Sequence, residues 1–211
     1  MHLLRMGKTD QALALLRVAE PLFETINDRV EEIQHHGLLA LGHLRRGELE
    51  FARVHADKAE DMIAQSRPSA PYAIDGYSTV VEVYLAIWES ASKPDERKEA
   101  IRMTRKALTS LEGFARVFPV GRPRYWLWKG LSEWLDGKRS RAQRSWQQSL
   151  NLASHLQMPY EEALGHYEIG RHLTDSDRVR DEHLDRACDL FSQLSAAYDW
   201  AHAKLALEGT A

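Results

Sequence analysis

The chain has 211 residues, 44% apolar and 28% charged, a balance that supports a packed core and argues against disorder. Its 28 basic and 31 acidic residues leave a formal charge of −3, so no chain-wide affinity for nucleic acid or an anionic membrane is expected. A single cysteine, Cys188, excludes an intramolecular disulfide and a multi-cysteine metal site; no apolar run reaches the roughly 20 residues of a membrane span.

The opening Met1–Lys8 is too short and too quickly polar for a secretion signal, so a cytoplasmic protein is expected. Leu13, Leu15, Leu16 and Ala19 then recur at helical spacing. Val80, Val81, Tyr84, Leu85 and Trp88 follow i, i+1, i+4, i+5, i+8, which carries the β-branched Thr79-Val80-Val81 into a helix rather than a strand. There is no alternating stretch and no Asn-Gly or Asp-Gly turn between strand-like runs. The pattern predicts an all-α protein of about ten helices.

Repetition is the main signal. Arg5-Met6-Gly7-Lys8-Thr9-Asp10-Gln11-Ala12, Arg45-Arg46-Gly47-Glu48-Leu49-Glu50-Phe51-Ala52 and Leu135-Asp136-Gly137-Lys138-Arg139-Ser140-Arg141-Ala142 share one form. Each ends a helix, breaks at glycine, and resumes with alanine five residues later. Glycine suits a left-handed residue after a helix, and alanine suits a close helix crossing. The anchors Ala12, Ala52, Ala100, Ala142 and Ala187 are 40, 48, 42 and 45 residues apart. Two units lack the turn glycine, and their connectors, Ser90–Asp95 and Thr174–Arg180, read as longer and more polar.

This pattern resembles the tetratricopeptide repeat (TPR), a helix–turn–helix unit of about 34 residues. Trp126, Gly130, Gly137, Ala142 and Trp146 match its first-helix aromatic, small packing residue, turn glycine, second-helix alanine and second-helix aromatic. Leu39, Ala40, Gly47, Ala52 and Ala59 match another unit. The resemblance implies a right-handed α-solenoid of four to five divergent repeats. Their approximate units are 1–27, 28–67, 72–118, 123–157 and 159–198, followed by a terminal helix at 199–208. Residues 123–173, from Pro123-Arg124-Tyr125-Trp126 to Glu168-Ile169-Gly170-Arg171, further resemble the C-terminal repeat region of large bacterial nucleotide-cyclase and ATPase regulators. No P-loop or acidic metal pair accompanies them. The likeness implies a fragment or stand-alone relative of such an array, with no catalytic residue carried over.

Candidate chemistry is sparse. His36 and His43 lie seven apart on one helix, and Glu162–His166 and Glu168–His172 are i, i+4 pairs, but no third metal ligand is implied. No metal, cofactor or catalytic set is therefore expected. Trp126 and Trp146 read as core. Trp128, some 200° around the helix from Trp126, and Trp134 have other phases. Residues 122–146 carry seven basic and two acidic residues, and 155–199 carry four basic and ten acidic ones; such blocks favour contact between neighbouring repeats.

The repeat register places Leu85, Glu89, Arg124, Leu131, Trp134, Tyr167 and Arg171 on the concave face. The expected function is non-enzymatic binding of a protein or peptide, with homo-oligomers possible through exposed terminal repeats. The other reading is a regulatory sensor that binds a small ligand or peptide and controls an attached NTPase or cyclase.

Overall fold

The computed structural model describes residues 1–26, 28–173 and 178–209. Among them the chain forms eleven α-helices and no strand: α1 (His2–Arg5), α2 (Thr9–Ile26), α3 (Arg29–Arg45), α4 (Leu49–Ala64), α5 (Ile74–Ser90), α6 (Pro94–Val117), α7 (Arg122–Leu135), α8 (Arg139–His155), α9 (Pro159–His172), α10 (Arg178–Gln193) and α11 (Ala197–Leu207). Single 3-10 turns at Pro71–Ala73 and Pro119–Gly121 lead into α5 and α7.

Local chemistry sets the boundaries. The Asp28 carboxylate accepts hydrogen bonds from the Val30 and Glu31 amides at 2.9 and 3.4 Å and caps α3. Proline opens α6 and α9, where a missing N–H costs nothing. Gly7, Gly47 and Gly137 have φ of +74°, +74° and +76°. After each, the next amide reaches back five residues: Lys8 to Leu3, Glu48 to His43 and Lys138 to Glu133, at 2.9, 2.9 and 2.8 Å. This is the Schellman closure. The same closure recurs where no glycine stands: Gln157 and Ser195 have φ of +54° and +55°, and the Met158 and Ala196 amides reach Ala153 and Phe191.

The helices pack in neighbouring pairs, α3 with α4, α5 with α6, α7 with α8 and α9 with α10. Successive first helices α3, α5, α7, α9 and α11 also touch and line the inner side. All five anchor alanines are buried. Ala52, Ala56 and Ala59 form one small-residue face on α4, and one apolar cluster runs from Ile33 to Ala203. At the α3–α5 crossing Gly37 and Gly76 meet backbone to backbone.

Two expectations need correction. Ser90–Asp95 is not a long loop, because Pro94 already begins α6 and only residues 91–93 connect the helices. Trp126 is half-buried, with the Lys129 ammonium 4.3 Å from its ring, whereas Trp128 is buried and donates to the Ser78 hydroxyl at 2.9 Å. Gly130 fits against the Trp146 indole, where a Cβ would meet the ring. The first four residues of the Thr174–Arg180 connector lie outside the described residues.

Candidate functional site

The seven candidates divide by depth. Leu85 and Leu131 belong to the apolar core. Arg124 is 4% exposed. Its Nε and Nη2 donate to Glu161 Oε1 at 3.1 and 3.0 Å, and Nη1 donates to Ser78 Oγ at 3.1 Å. Burial acts to lower the Arg124 pKa, but Glu161 and its neighbours raise it above the ordinary value.

Of the other four, Glu89, Tyr167 and Arg171 meet near the C-terminal ends of α5 and α9, and Trp134, near the C-terminal end of α7, packs against residues outside that group. Arg171 donates from Nη1 to Glu89 at 3.3 Å and from Nε to Glu168 at 3.1 Å. Its guanidinium stands 5.7 Å from the Tyr167 ring. Trp134 packs on His172 and Trp146, with ring centroids 4.8 and 5.7 Å away, and Arg139 lies 4.8 Å over its indole. Burial pushes the Tyr167 phenol up to about 12 against the pull of Arg171. Burial, aided by Arg171, pushes His172 down to about 4, which keeps its imidazole neutral at pH 7. The result is two adjoining groups, Tyr167 with the paired Arg171 guanidinium and the half-exposed Glu89 carboxylate, and Trp134 with His172 and Trp146.

A second cluster occupies the inner side where the ends of the chain meet. Arg45 on α3 donates to Asp199 on α11 at 3.1 Å and to the Leu4 carbonyl on α1. The Tyr160 hydroxyl on α9 donates to the other Asp199 oxygen at 3.0 Å. The Arg5 guanidinium lies 3.7 Å over the Tyr160 ring, and that of Arg45 lies 4.2 Å from Tyr198. Nearby Glu82 is pushed up to about 7 by burial, opposed by Arg45 and Arg124. Sequence reasoning missed this cluster. Its one legible trace is that Arg5 and Arg45 occupy the same place, two residues before a turn glycine.

Among the described residues no group of three or more His, Cys, Asp or Glu converges. His36 faces His55 with Nδ1 atoms 3.1 Å apart, and His43 bonds to Glu48 at 2.6 Å. His166 faces His183, and Glu162 pairs with Arg186 at 3.4 Å. Burial raises the Cys188 thiol pKa, the reverse of what a nucleophile needs. No helix among the described residues is long and apolar enough to cross a membrane.

A thermophilic TPR protein of Thermus thermophilus has a similar structure, with a TM-score of 0.55 over 96% of this chain and 94% of that one, at 24% identity. At that identity the likeness shows the fold, a TPR-like helical array, and no activity. No family model and no curated protein matches the chain.

Proposed function

We propose that the chain is a non-enzymatic, cytoplasmic binding module whose inner strip, Glu89, Trp134, Tyr167 and Arg171, grips a segment of a partner protein. Leu85, Arg124 and Leu131 are its supports: they hold α5, α7 and α9 in register beneath the strip. The observation that carries this reading is the contact of Arg171 with Glu89 and Tyr167 across α5 and α9, beside the Trp134 ring of α7 stacked on the adjoining His172. Aromatic rings offer contact area at low entropic cost, and an arginine already aligned by Glu168 offers directional donors. The likeness of residues 123–173 to bacterial signalling arrays supports a place in a larger regulator. It also supplies the second reading, a sensor that transmits ligand binding to an output domain.

Capture from the native host with the intact chain, repeated with Trp134→Ala and Tyr167→Ala, tests the strip. Each variant is expected to weaken a captured partner by more than about 1 kcal/mol while most of the fold persists. Affinity unchanged in the folded fraction, with a large loss of melting temperature, would assign both rings to packing alone.

A further inference from the structure

The outer side of the array carries one strip whose positive charge is left unmatched. Three of the outer helices answer arginines from within themselves: Arg53 with Asp57 at 3.6 Å on α4, Arg102 with Glu99 at 2.7 Å on α6 and Arg178 with Glu182 at 3.0 Å on α10. α8 cannot, because Arg139–His155 contains no aspartate or glutamate. Its buried positions, among them Ala142, Ser145 and Trp146, face the core, while Arg141 and Arg144 are exposed. These two arginines are three residues apart, so like charges are neighbours on the helix surface, which is unfavourable for α8 itself. Arg144 Nε donates only to the Ser140 carbonyl, at 3.2 Å, and neither arginine pairs with a carboxylate among the described residues.

Between α6 and α8 a ridge of α7 comes to the surface, flanked by open clefts of about 290 and 400 Å³. The larger cleft joins Trp126 to Arg141, Arg144 and Gln148, and the smaller one adds Lys129 and Arg105. The Lys129 ammonium lies 4.3 Å from the Trp126 ring. The carboxylates of these clefts are already engaged. Glu133, which lines both, accepts from the Ser145 hydroxyl at 2.6 Å; Glu112 pairs with Arg116 at 3.0 Å and Asp136 with Lys138. The cations of the strip therefore outnumber the acceptors available to them.

We propose that this outer strip, Trp126, Lys129, Arg141 and Arg144, docks an extended acidic segment of a partner protein, with carboxylates at alternate positions. A guanidinium fork takes a carboxylate through two parallel hydrogen bonds. Helical residues three apart have Cβ atoms about 5–6 Å from each other, and alternate residues of an extended chain are about 6.6 Å apart, so one face of a strand meets both arginines. Glu133 in the middle of the strip opposes a continuous phosphate backbone, whereas a peptide can set an uncharged residue beside it. The strip goes beyond the inner site and shares no residue with it.

The test is fluorescence anisotropy with the full chain and a labelled peptide of alternating glutamate and serine. Wild type should bind at low salt, and added salt should weaken binding. Arg141→Glu with Arg144→Glu should weaken it at least tenfold, and Arg141→Gln with Arg144→Gln at least threefold. Circular dichroism checks the fold, and the glutamine pair decides if the glutamate pair unfolds. Arg17→Glu with Lys58→Glu makes the same change of net charge at exposed residues of α2 and α4, and should alter affinity less than twofold. An equal loss in that control means that net charge alone is felt and overturns the proposal. So does wild type that binds no peptide at low salt. An oligothymidylate of equal charge that binds more tightly than the peptide overturns it in favour of nucleic acid. Self-association abolished by Arg141→Glu with Arg144→Glu overturns it in favour of a second copy. Trp134→Ala should leave this peptide's affinity unchanged, which separates failure here from failure of the inner strip.

Discussion

Adding one methyl group at two helical glycines should move stability in opposite directions. A Cβ at Gly37 would stand 2.6 Å from Gly76 Cα, 3.1 Å from its carbonyl oxygen and 3.3 Å from its carbonyl carbon. All three are backbone atoms and cannot rotate away. Relief requires α3 and α5 to separate by roughly 1 Å, while ordinary contact begins near 3.4 Å. Overpacking of this kind costs about 1–3 kcal/mol, and the immobile backbone puts Gly37→Ala near the upper end. Alanine's better helix propensity returns about 1 kcal/mol, leaving a net loss of about 2 kcal/mol. At Gly113, inside α6, an added Cβ meets nothing within 4 Å, so Gly113→Ala keeps only the propensity gain, about 0.5–1 kcal/mol. A chain of this size shifts by about 2–4 °C per kcal/mol, so the two variants should melt about 5–10 °C apart, on either side of wild type. Thermal unfolding followed by circular dichroism reads this directly. Gly37→Ala melting at or above wild type would refute the backbone contact between α3 and α5.

Gln157→Gly and Ser195→Gly should each raise stability by about 0.5–1 kcal/mol in thermal or urea unfolding, because both residues hold a left-handed conformation that disfavours a side chain. Ala142→Leu, at a fully buried α7–α8 contact, should cost on the order of 1–3 kcal/mol by the same measurements. Burial lowers His36, His55, His166 and His172 to about 4. Between that value and 6.5 the unfolded chain binds more protons, so their contribution is present above pH 6.5 and is lost as pH falls toward 4. The melting temperature should drop through that window, and His55→Gln should flatten the drop. Glu82 runs the other way: its carboxyl, raised to about 7, contributes stability below the unfolded carboxylate range that is lost as pH rises through 7. Glu82→Gln should therefore melt higher than wild type at pH 8 and converge with it near pH 4.

The turns were legible wherever their chemistry is local. Gly7, Gly47 and Gly137 announce a left-handed residue, and the alanine five positions later reports the close crossing that follows. At Gln157 and Ser195 the same turn forms on side chains that give no such signal. The neighbouring helices hold the chain there tightly enough to impose the conformation, so tertiary packing overrides local preference. Trp126 shows a related limit. Family register assigns it to the core, but α7 is rotated so that Trp128, tied to Ser78, faces inward. Register fixes spacing along a helix, while the rotation of that helix depends on partners elsewhere in the chain.

The inner polar cluster was illegible for a stronger reason. Arg45 and Asp199 are 154 residues apart, and Arg124 and Glu161 are 37 apart. Each reads alone as a solvated surface charge, and helical periodicity treats it as the polar face of its own segment. Only the curvature of the stack brings these faces toward one another. The close α3–α5 approach at Gly37 and Gly76 contributes to that curvature, since a side chain there would push the inner helices apart. The polar faces of α3, α5, α7, α9 and α11 are consequently directed at each other across a confined space, where an unmatched charge is costly. Pairing Arg45 with Asp199 and Arg124 with Glu161 removes most of that cost.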